Sequence, residues 1–437
     1  MSDTADTPGT LDVDGTSSSS AVPDPSVPDS DRSDSNGPGD LDVAAYLEDP
    51  DAELRRLASL HWFARAMDEQ GAPMPLVLDA EGARTVLRDR RLSTRSFTDD
   101  MVTAGLSERT AHQLTPLFRR HGDEHRQFRG LLSKAFTPRS VERLRPFTAE
   151  VAARLADALA GGDEPVEFVG AFAAPLPPEV FATLFGLPVE ERDRLAEWGA
   201  IVTDAFVPAH IAERSARIEA ATAEMRDWSG ELIAQRRSEP RDDLISGLLA
   251  ARIDGERLTD DDVTDVITGF VFAGSETTRR QLTRAVEAFA DHPSQWDRVA
   301  ADPSLVDGAV EEVLRAYSII PGLSRVAIED VVEGDLKMCP GERIATTFVT
   351  ANADPAVFED PQVFDPARPN AKDHLSFGWG PHFCMGAPLA RMELQESLRA
   401  LTARFRAPRL EVQHPDEAAA TGFGAPDELW VRFEPRA

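Results

Sequence analysis

One decapeptide near the C-terminus, Phe377-Gly378-Trp379-Gly380-Pro381-His382-Phe383-Cys384-Met385-Gly386, holds one of the two cysteines of this chain, framed by three glycines and a histidine. An apolar helical pattern, Ala387-Pro388-Leu389-Ala390-Arg391, follows it. A helix N-terminus directs unpaired N–H groups and a partial positive charge at whatever precedes it. The sequence therefore predicts a stabilised thiolate at Cys384, with its pKa depressed. A lone cysteine is also at home as a small buried hydrophobe, and the loop alone leaves both readings open.

Other groups of residues have spacings that suit chemistry. Ala273-Gly274-Ser275-Glu276-Thr277-Thr278 lies inside a long, mostly apolar helical run. Gly274 costs about 1 kcal/mol there relative to Ala, and Thr277 can bond back to a carbonyl one turn earlier. Glu312 and Arg315 are three apart on one helix face, an arrangement worth only about a few tenths of a kcal/mol in isolation. His125 and Arg129 are four apart on another helix face. Arg325 follows the break after the Glu312 helix, and His382 lies two residues before the cysteine.

The elements that must position these groups are mostly helices. The 3.6-residue period predicts helices over 52–67, 81–87, 145–159, 178–185, 190–205, 211–237, 242–251 and 304–317. The run over 259–290 would be a rod of roughly 45–50 Å, long enough to cross a whole domain. Strand patterns are short: 75–79, 324–327, 341–347, 411–413 and 429–433. Residues 94–117 have little periodicity and read as a long loop with a helical turn. The fold class is mainly α with a small β portion.

Composition sets outer bounds. The chain has 437 residues, 42% of them hydrophobic, and a formal net charge of −30. That charge excludes nucleic-acid binding, which needs basic surface, and adsorption to anionic membranes. No apolar run of about 18 residues exists, and no signal-peptide pattern opens the chain. Two cysteines, Cys339 and Cys384, are too few for a disulfide framework or an iron–sulfur cluster. The expectation is a cytoplasmic protein. Residues 1–40 carry nine Asp, one Arg and almost no large apolar side chain, so they read as a disordered acidic tail. The globular domain spans 41–437.

The cysteine loop, with Phe377, Gly378, Gly380, His382, Cys384 and Gly386 in register, resembles the haem-binding loop of the cytochrome P-450 family. The resemblance runs from about Leu41 to the C-terminus and implies the family fold, with a long central helix over haem b. It implies that Cys384 ligates the haem iron and that Phe377, Gly378, His382 and Gly386 belong to the cofactor loop. Ala273 and Gly274 resemble the family's widened helix segment, which makes room for dioxygen. Glu276 and Thr277 resemble its acid–alcohol proton relay. Glu312 and Arg315 resemble the ExxR pair, and Arg368 stands where the third member of that buried network belongs. His125, Arg129, Arg325 and His382 match positions that hold the haem propionates.

The implied activity is monooxygenation of a lipophilic small molecule (terpenoid, steroid, polyketide or fatty acid) by a monomeric bacterial member using dioxygen. The electrons would come from a ferredoxin and ferredoxin reductase. A peroxide-driven peroxygenase and a non-catalytic haem sensor are the alternatives. Pocket-lining segments would be 94–117, 198–207, 270–272, 319–323 and 421–423, and Arg119, Arg120, Arg126 and Lys134 would form a basic docking patch for the ferredoxin. Three departures stand out: Ala353 replaces an arginine common in Ala-Asn-Arg-Asp-Pro, Gly122-Asp123-Glu124 before His125 lacks the frequent prolines, and Trp379 is bulky for its place.

Overall fold

The protein is described by a computed structural model covering residues 39–42, 45–46, 49–67, 71–159, 164–411 and 424–436. Helices dominate. Those that build or brace the site are α1 (Pro50–Ala58), α2 (Ala80–Arg88), α3 (Gly122–Ala135), α4 (Arg145–Leu159), α5 (Leu176–Leu184), α6 (Arg192–Thr203), α7 (Pro208–Ser238), α8 (Asp260–Asp291), α9 (Val306–Ala316) and α10 (Ala387–Arg404).

The long rod exists as α8. Thr259 starts it with a capping box: the Thr259 hydroxyl accepts the Asp262 N–H at 3.1 Å, and the Asp262 carboxylate accepts the Thr259 N–H at 3.0 Å. Asp260, Asp261 and Asp262 in its first turn complement the helix dipole. Pro293 follows its C-cap, His292, and opens the next helix. Helices α5, α6, α7 and α10 all pack on α8. Val263, Val266, Ile267, Val271, Phe272, Leu282, Val286 and Phe289 of α8 join the largest hydrophobic core, so the rod is the axis of that core.

The β portion is a six-stranded sheet in the order β1-β2-β3-β9-β6-β4, a three-stranded sheet β10-β11-β5 and the hairpin β7-β8. The strands are β1 (Gly39–Asp40), β2 (Phe63–Arg65), β3 (Leu76–Val77), β4 (Leu92–Ser93), β5 (Val166–Glu167), β6 (Gly322–Ala327), β7 (Val331–Glu333), β8 (Leu336–Met338), β9 (Arg343–Thr347), β10 (Arg409–Leu410) and β11 (Trp430–Arg432). β6 and β9 are antiparallel with Arg325 opposite Ile344, which fixes the direction of the Arg325 side chain.

Several expectations change. The helix expected over 52–67 stops at Ala58, and Phe63–Arg65 becomes β2, paired with β3 through Phe63–Val77 and Ala64–Leu76. Strand pairing that buries Trp62, Phe63 and Ala64 outweighs local helix propensity. The expected loop over 94–117 holds two helices, Ser96–Thr103 and Glu108–Leu114. Their periodicity is masked because polar side chains, Thr98, Thr110 and Gln113, take buried positions. Gly39 and Asp40, assigned to the disordered tail, form β1, which lies parallel to β2 with the Asp40 carboxylate 2.8 Å from the Arg65 Nε. The rest of that tail lies outside the described residues. The strand expected over 411–413 instead lies at Arg409–Leu410, with 412 and 413 outside the described residues.

Glu393 of α10 is fully buried. The Thr278 hydroxyl of α8 lies nearby, but neither carboxyl oxygen makes a hydrogen bond of normal geometry among the described residues. Burial pushes its pKa up to about 8, against about 4.3 in an unfolded chain. Between those values the folded state binds more protons than the unfolded state, so this group makes stability fall as pH rises from about 5 to about 8. Glu393→Gln is expected to flatten that slope in urea unfolding and to be more stable than the parent at the alkaline end; an unchanged slope contradicts the assignment.

Candidate active site

The cysteine loop is built by backbone turns that need glycine. Gly378 and Gly380 sit at φ +71° and +72°, the left-handed region that L side chains avoid. At Gly380 an added Cβ would also lie 3.1 Å from the Arg88 Cα and the Leu87 carbonyl oxygen. The Cys384 N–H donates to the Phe377 carbonyl at 2.8 Å, and Gly378 N–H to Leu375 at 2.7 Å. Cys384 thus precedes α10, with the N–H groups of Gly386 and Ala387 directed at its sulfur.

The predicted direction of the thiol pKa is overturned. Burial, the largest influence, raises it, and the Gly386 N–H, the Arg129 charge, the Ala387 N–H and the Arg391 charge oppose burial without overcoming it. In the protein alone the helix start moderates the cost of a thiolate and does not remove it. Cys384 nevertheless retains accessible surface.

Ala273 is exposed and Gly274 and Thr277 are half-buried in the middle of α8, while Phe272, Ser275, Glu276 and Thr278 beside them are buried. Thr277 donates its hydroxyl back to the Ala273 carbonyl at 2.7 Å. Gly274 has a packing explanation that the sequence did not reveal: a Cβ there would lie 2.0 Å from the tip of the Phe181 ring on α5.

Glu276 is not hydrogen-bonded to Thr277; consecutive helix residues face different ways. Its carboxylate receives Arg279 Nε and Arg280 Nε, each at 2.7 Å. Arg280 continues to the Ala425 carbonyl at 2.7 Å and Asp427 at 2.9 Å. These two arginines follow the Glu-Thr-Thr motif in sequence, at the i+3 and i+4 spacing that signals such a pair.

The four expected propionate partners converge. The His125 and His382 rings are 3.9 Å apart at their centroids. Arg129 donates to the Phe383 carbonyl at 2.6 Å. Arg325 is 4% exposed, and its guanidinium bonds the Ser324 carbonyl at 2.8 Å with no acidic partner among the described residues. Burial pushes it down to about 10. Burial and then the charges of His125, Arg325 and Arg129 push His382 down to about 2, while burial and then Arg129 bring His125 down to about 4. The buried Nε2 of His125 has no hydrogen-bond partner among the described residues. An acid-free cluster of cationic and N–H donor groups next to Cys384, inside a chain of net charge −30, suits a dianionic ligand. The two carboxylates of haem b fit it.

Glu312, Arg315 and Arg368 are brought together. Arg315 grips Glu312 with two bonds of 2.8 Å, and Arg368 Nε reaches the same carboxylate at 3.1 and 3.2 Å. Both arginines then tie down carbonyls: Arg315 bonds those of Asn352 and Pro361, and Arg368 those of Glu359, Asp360 and Val363. Asn352, not singled out in the sequence, extends the lattice; its side chain bonds Ser376 Oγ at 2.9 Å and the Leu375 N–H at 2.7 Å.

Of the four expected docking cations, Arg120 is buried and Arg119 half-buried, while Arg126 and Lys134 are exposed. Arg119 is paired with Asp265, Arg120 with Asp262 beneath the surface, Arg126 with Asp123, and the Lys134 ammonium is bonded to the Arg252 carbonyl. Of the expected pocket segments, 94–117 and 198–207 contribute Phe97 and Phe206, 5.6 Å apart. Phe206 stacks on Phe272 at 4.0 Å, and Ile319 and Ile320 pack beside it. Trp198 turns into the core against Trp228. Residues 421–423 lie outside the described residues.

A cysteine at the start of a helix, an acid-free cationic pocket and a long helix across the core define a haem-thiolate protein. The cytochrome P450 family profile matches residues 203–428. Nocardicin C N-oxygenase of Nocardia uniformis subsp. tsuyamanensis is 36% identical over 339 residues, 77% of this chain and 83% of that protein. Erythromycin C-12 hydroxylase of Saccharopolyspora erythraea is 35% identical over 341 residues, 76% of this chain and 82% of that protein. The crystal structure of CYP109E1 from Bacillus megaterium in complex with testosterone superposes with a TM-score of 0.76 at 26% identity, covering 88% of this chain and 99% of that one. The chain belongs to the cytochrome P450 family: it is a monooxygenase whose cofactor is haem b. No helix among the described residues is long and apolar enough to cross a membrane.

Breaking a buried ion network by removing one partner costs about 3–5 kcal/mol. Glu312→Ala leaves two buried guanidiniums uncompensated and is expected to lose stability of that order in urea unfolding, together with haem content. A variant with parental stability contradicts the structural role.

Proposed function

We propose that this chain oxidises an apolar small molecule of the terpenoid, steroid, polyketide or fatty-acid kind, with electrons from a ferredoxin supplied by its reductase. The observation that carries the reading is Cys384, held between two left-handed glycines and the first turn of α10, beside the acid-free cluster of His125, Arg129, Arg325 and His382. The aromatic wall of Phe97, Phe206 and Phe272 supports an apolar substrate, as do relatives named for a macrolide and a neighbour bound to testosterone.

Bound to a cysteine thiolate, haem b supplies dioxygen activation: one oxygen atom enters the substrate and the other leaves as water, consuming two electrons and two protons. The chain's own residues set the conditions. Gly386 and Ala387 orient the Cys384 sulfur by their N–H groups. Arg129, Arg325, His125 and His382 hold the carboxylates of the cofactor, the histidines donating as neutral imidazoles. Thr277 Oγ1 gives its own proton to the Ala273 carbonyl and keeps its lone pairs for a donor in the space beside it. Glu276 is held as a carboxylate by Arg279 and Arg280; to serve as a relay it would have to leave one arginine and take up a proton from water before passing that proton toward Thr277.

Reconstitution with NADPH, a ferredoxin and its reductase tests this. Product formation from a hydrophobic ligand that displaces haem-bound water is expected, with Thr277→Ala diverting most of the reducing equivalents to peroxide. Oxidation supported by hydrogen peroxide alone and indifferent to Thr277→Ala would establish a peroxygenase instead. No oxidation under either condition, with haem fully bound, would establish a sensor.

A further inference from the structure

Asp427 lies two residues beyond the carbonyl that Arg280 holds, far from Glu276 in sequence, yet it shares both arginines with that acid. Arg279 grips the Glu276 carboxylate with its Nε at 2.7 Å and with a terminal nitrogen, and Arg280 Nε reaches it at 2.7 Å. The outer ends of the same two guanidiniums converge on one oxygen. Asp427 Oδ1 accepts Arg280 at 2.9 Å and Arg279 at 3.1 Å. Among the described residues, no other charged side chain bonds Glu276 or Asp427.

The two acids differ in their surroundings. The side chains of Glu276, Arg279 and Arg280 are buried or nearly so, whereas that of Asp427 is 68% exposed. The set therefore runs from solvent to the middle of α8. The segment carrying Asp427 is pinned on both sides. Before it, the Gly424 N–H donates to the Ile319 carbonyl at 3.0 Å, and Arg280 holds the Ala425 carbonyl at 2.7 Å. After it, the Leu429 N–H donates to the Glu167 carboxylate at 3.0 Å, and the Leu429 carbonyl accepts the Phe168 N–H at 2.8 Å.

With both acids ionised the set is neutral, two guanidiniums against two carboxylates. A proton on Glu276 leaves the two cations facing one anion; without Asp427 they would face none. Uncompensated charge beneath the surface is costly, because water screens it poorly there. Asp427 thus eases the one charge state in which Glu276 holds a proton.

We propose that Asp427 is a positioning residue that receives Arg279 and Arg280 when Glu276 takes up a proton, and so loads the proton relay from the solvent side. The inference rests on the reading of Glu276 as the acid of that relay. An arginine turns from Glu276 to Asp427, and a hydronium ion from solvent gives its proton to the vacated Glu276 oxygen and leaves as water. Glu276 then passes the proton toward Thr277 and, ionised again, recovers the arginine. One proton enters and one leaves, and no electron moves in this part of the reaction.

Difference infrared spectroscopy of the haem-loaded full chain reads the Glu276 proton directly, through the carboxylic C=O band that is lost in Glu276→Gln. Asp427→Asn, isosteric and uncharged, is expected to lower the midpoint pH of that band by about one unit, a roughly tenfold smaller protonated fraction. Arg280→Gln, which removes a cation from Glu276, is expected to raise it. Opposite signs are the signature of charge, because loosened packing has no reason to reverse between the two variants. In turnover with NADPH, ferredoxin and reductase, Asp427→Asn is expected to lower kcat about tenfold, with KM within about twofold and a larger solvent deuterium isotope effect. Asp427→Glu, which keeps the charge, is expected to restore both. An unchanged or raised midpoint in Asp427→Asn, or a parental kcat with a parental isotope effect, overturns the proposal. If Arg280→Gln fails to take up haem, Asp427→Asn, altered at the surface, still decides. A parent whose kcat is indifferent to Glu276→Gln would sink the relay reading itself; a Glu276-dependent parent indifferent to Asp427→Asn would sink only the role of Asp427.

Discussion

One sulfur atom has to be held still at the start of α10, and much of the C-terminal half of the chain is arranged around that constraint. The loop reaches the sulfur through two left-handed glycines, one of which also passes against the α2 backbone. The loop is anchored from the other side by Asn352, which bonds Leu375 and Ser376, and Asn352 is itself gripped at its carbonyl by Arg315. Arg315 is locked to Glu312, and Glu312 to Arg368. The chain of bonds thus runs from α9 to the loop before Cys384 without passing through solvent. A buried ion network of this kind contributes geometry more than net stability, because desolvation offsets most of the attraction between its charges.

Charge placement is the second organising feature. In a chain of net charge −30, most arginines are matched to carboxylates: Arg119, Arg120, Arg126, Arg145, Arg236 and Arg343 all have acidic partners. Among the described residues, Arg325 is buried with none, and His125 keeps a buried ring nitrogen without a partner. Groups left unsatisfied in the interior cost free energy unless a ligand satisfies them. Their clustering around His382 fits an anionic cofactor. The same matching engages two of the cations expected to greet a ferredoxin, Arg119 and Arg120. Both pair with α8: its acidic first turn, which starts the helix, holds Arg120, and Asp265 one turn on holds Arg119.

Sequence legibility followed the type of interaction. The long helix, its cap and the motif residues were readable because local spacing sets them: α8 differs from its expected span by one residue at each end. The small strands β1, β2, β4, β5, β7 and β8 were not, because strands of two or three residues carry no periodicity and exist only through distant partners. Gly274 has a second requirement beyond its place in the motif: the Phe181 ring from α5 needs a glycine there, and nothing near Gly274 in sequence announces Phe181. Around Glu276, the i+3 and i+4 spacing of Arg279 and Arg280 is a local signal that the sequence analysis did not use, and the Asp427 partner that completes their network has no such signal. The thiol of Cys384 was misjudged because helix-end electrostatics is local and legible, while burial, the larger effect, is a property of the whole fold.

The account turns on Cys384 binding haem b as a thiolate within a cationic, acid-free pocket. The carbon monoxide difference spectrum of the dithionite-reduced, haem-loaded protein tests this directly. A Soret band at the long-wavelength position of thiolate ligation is expected for the parent and is expected to vanish in Cys384→Ala. A parent band at the position typical of histidine-ligated haem, or a thiolate band that survives Cys384→Ala, would contradict the account.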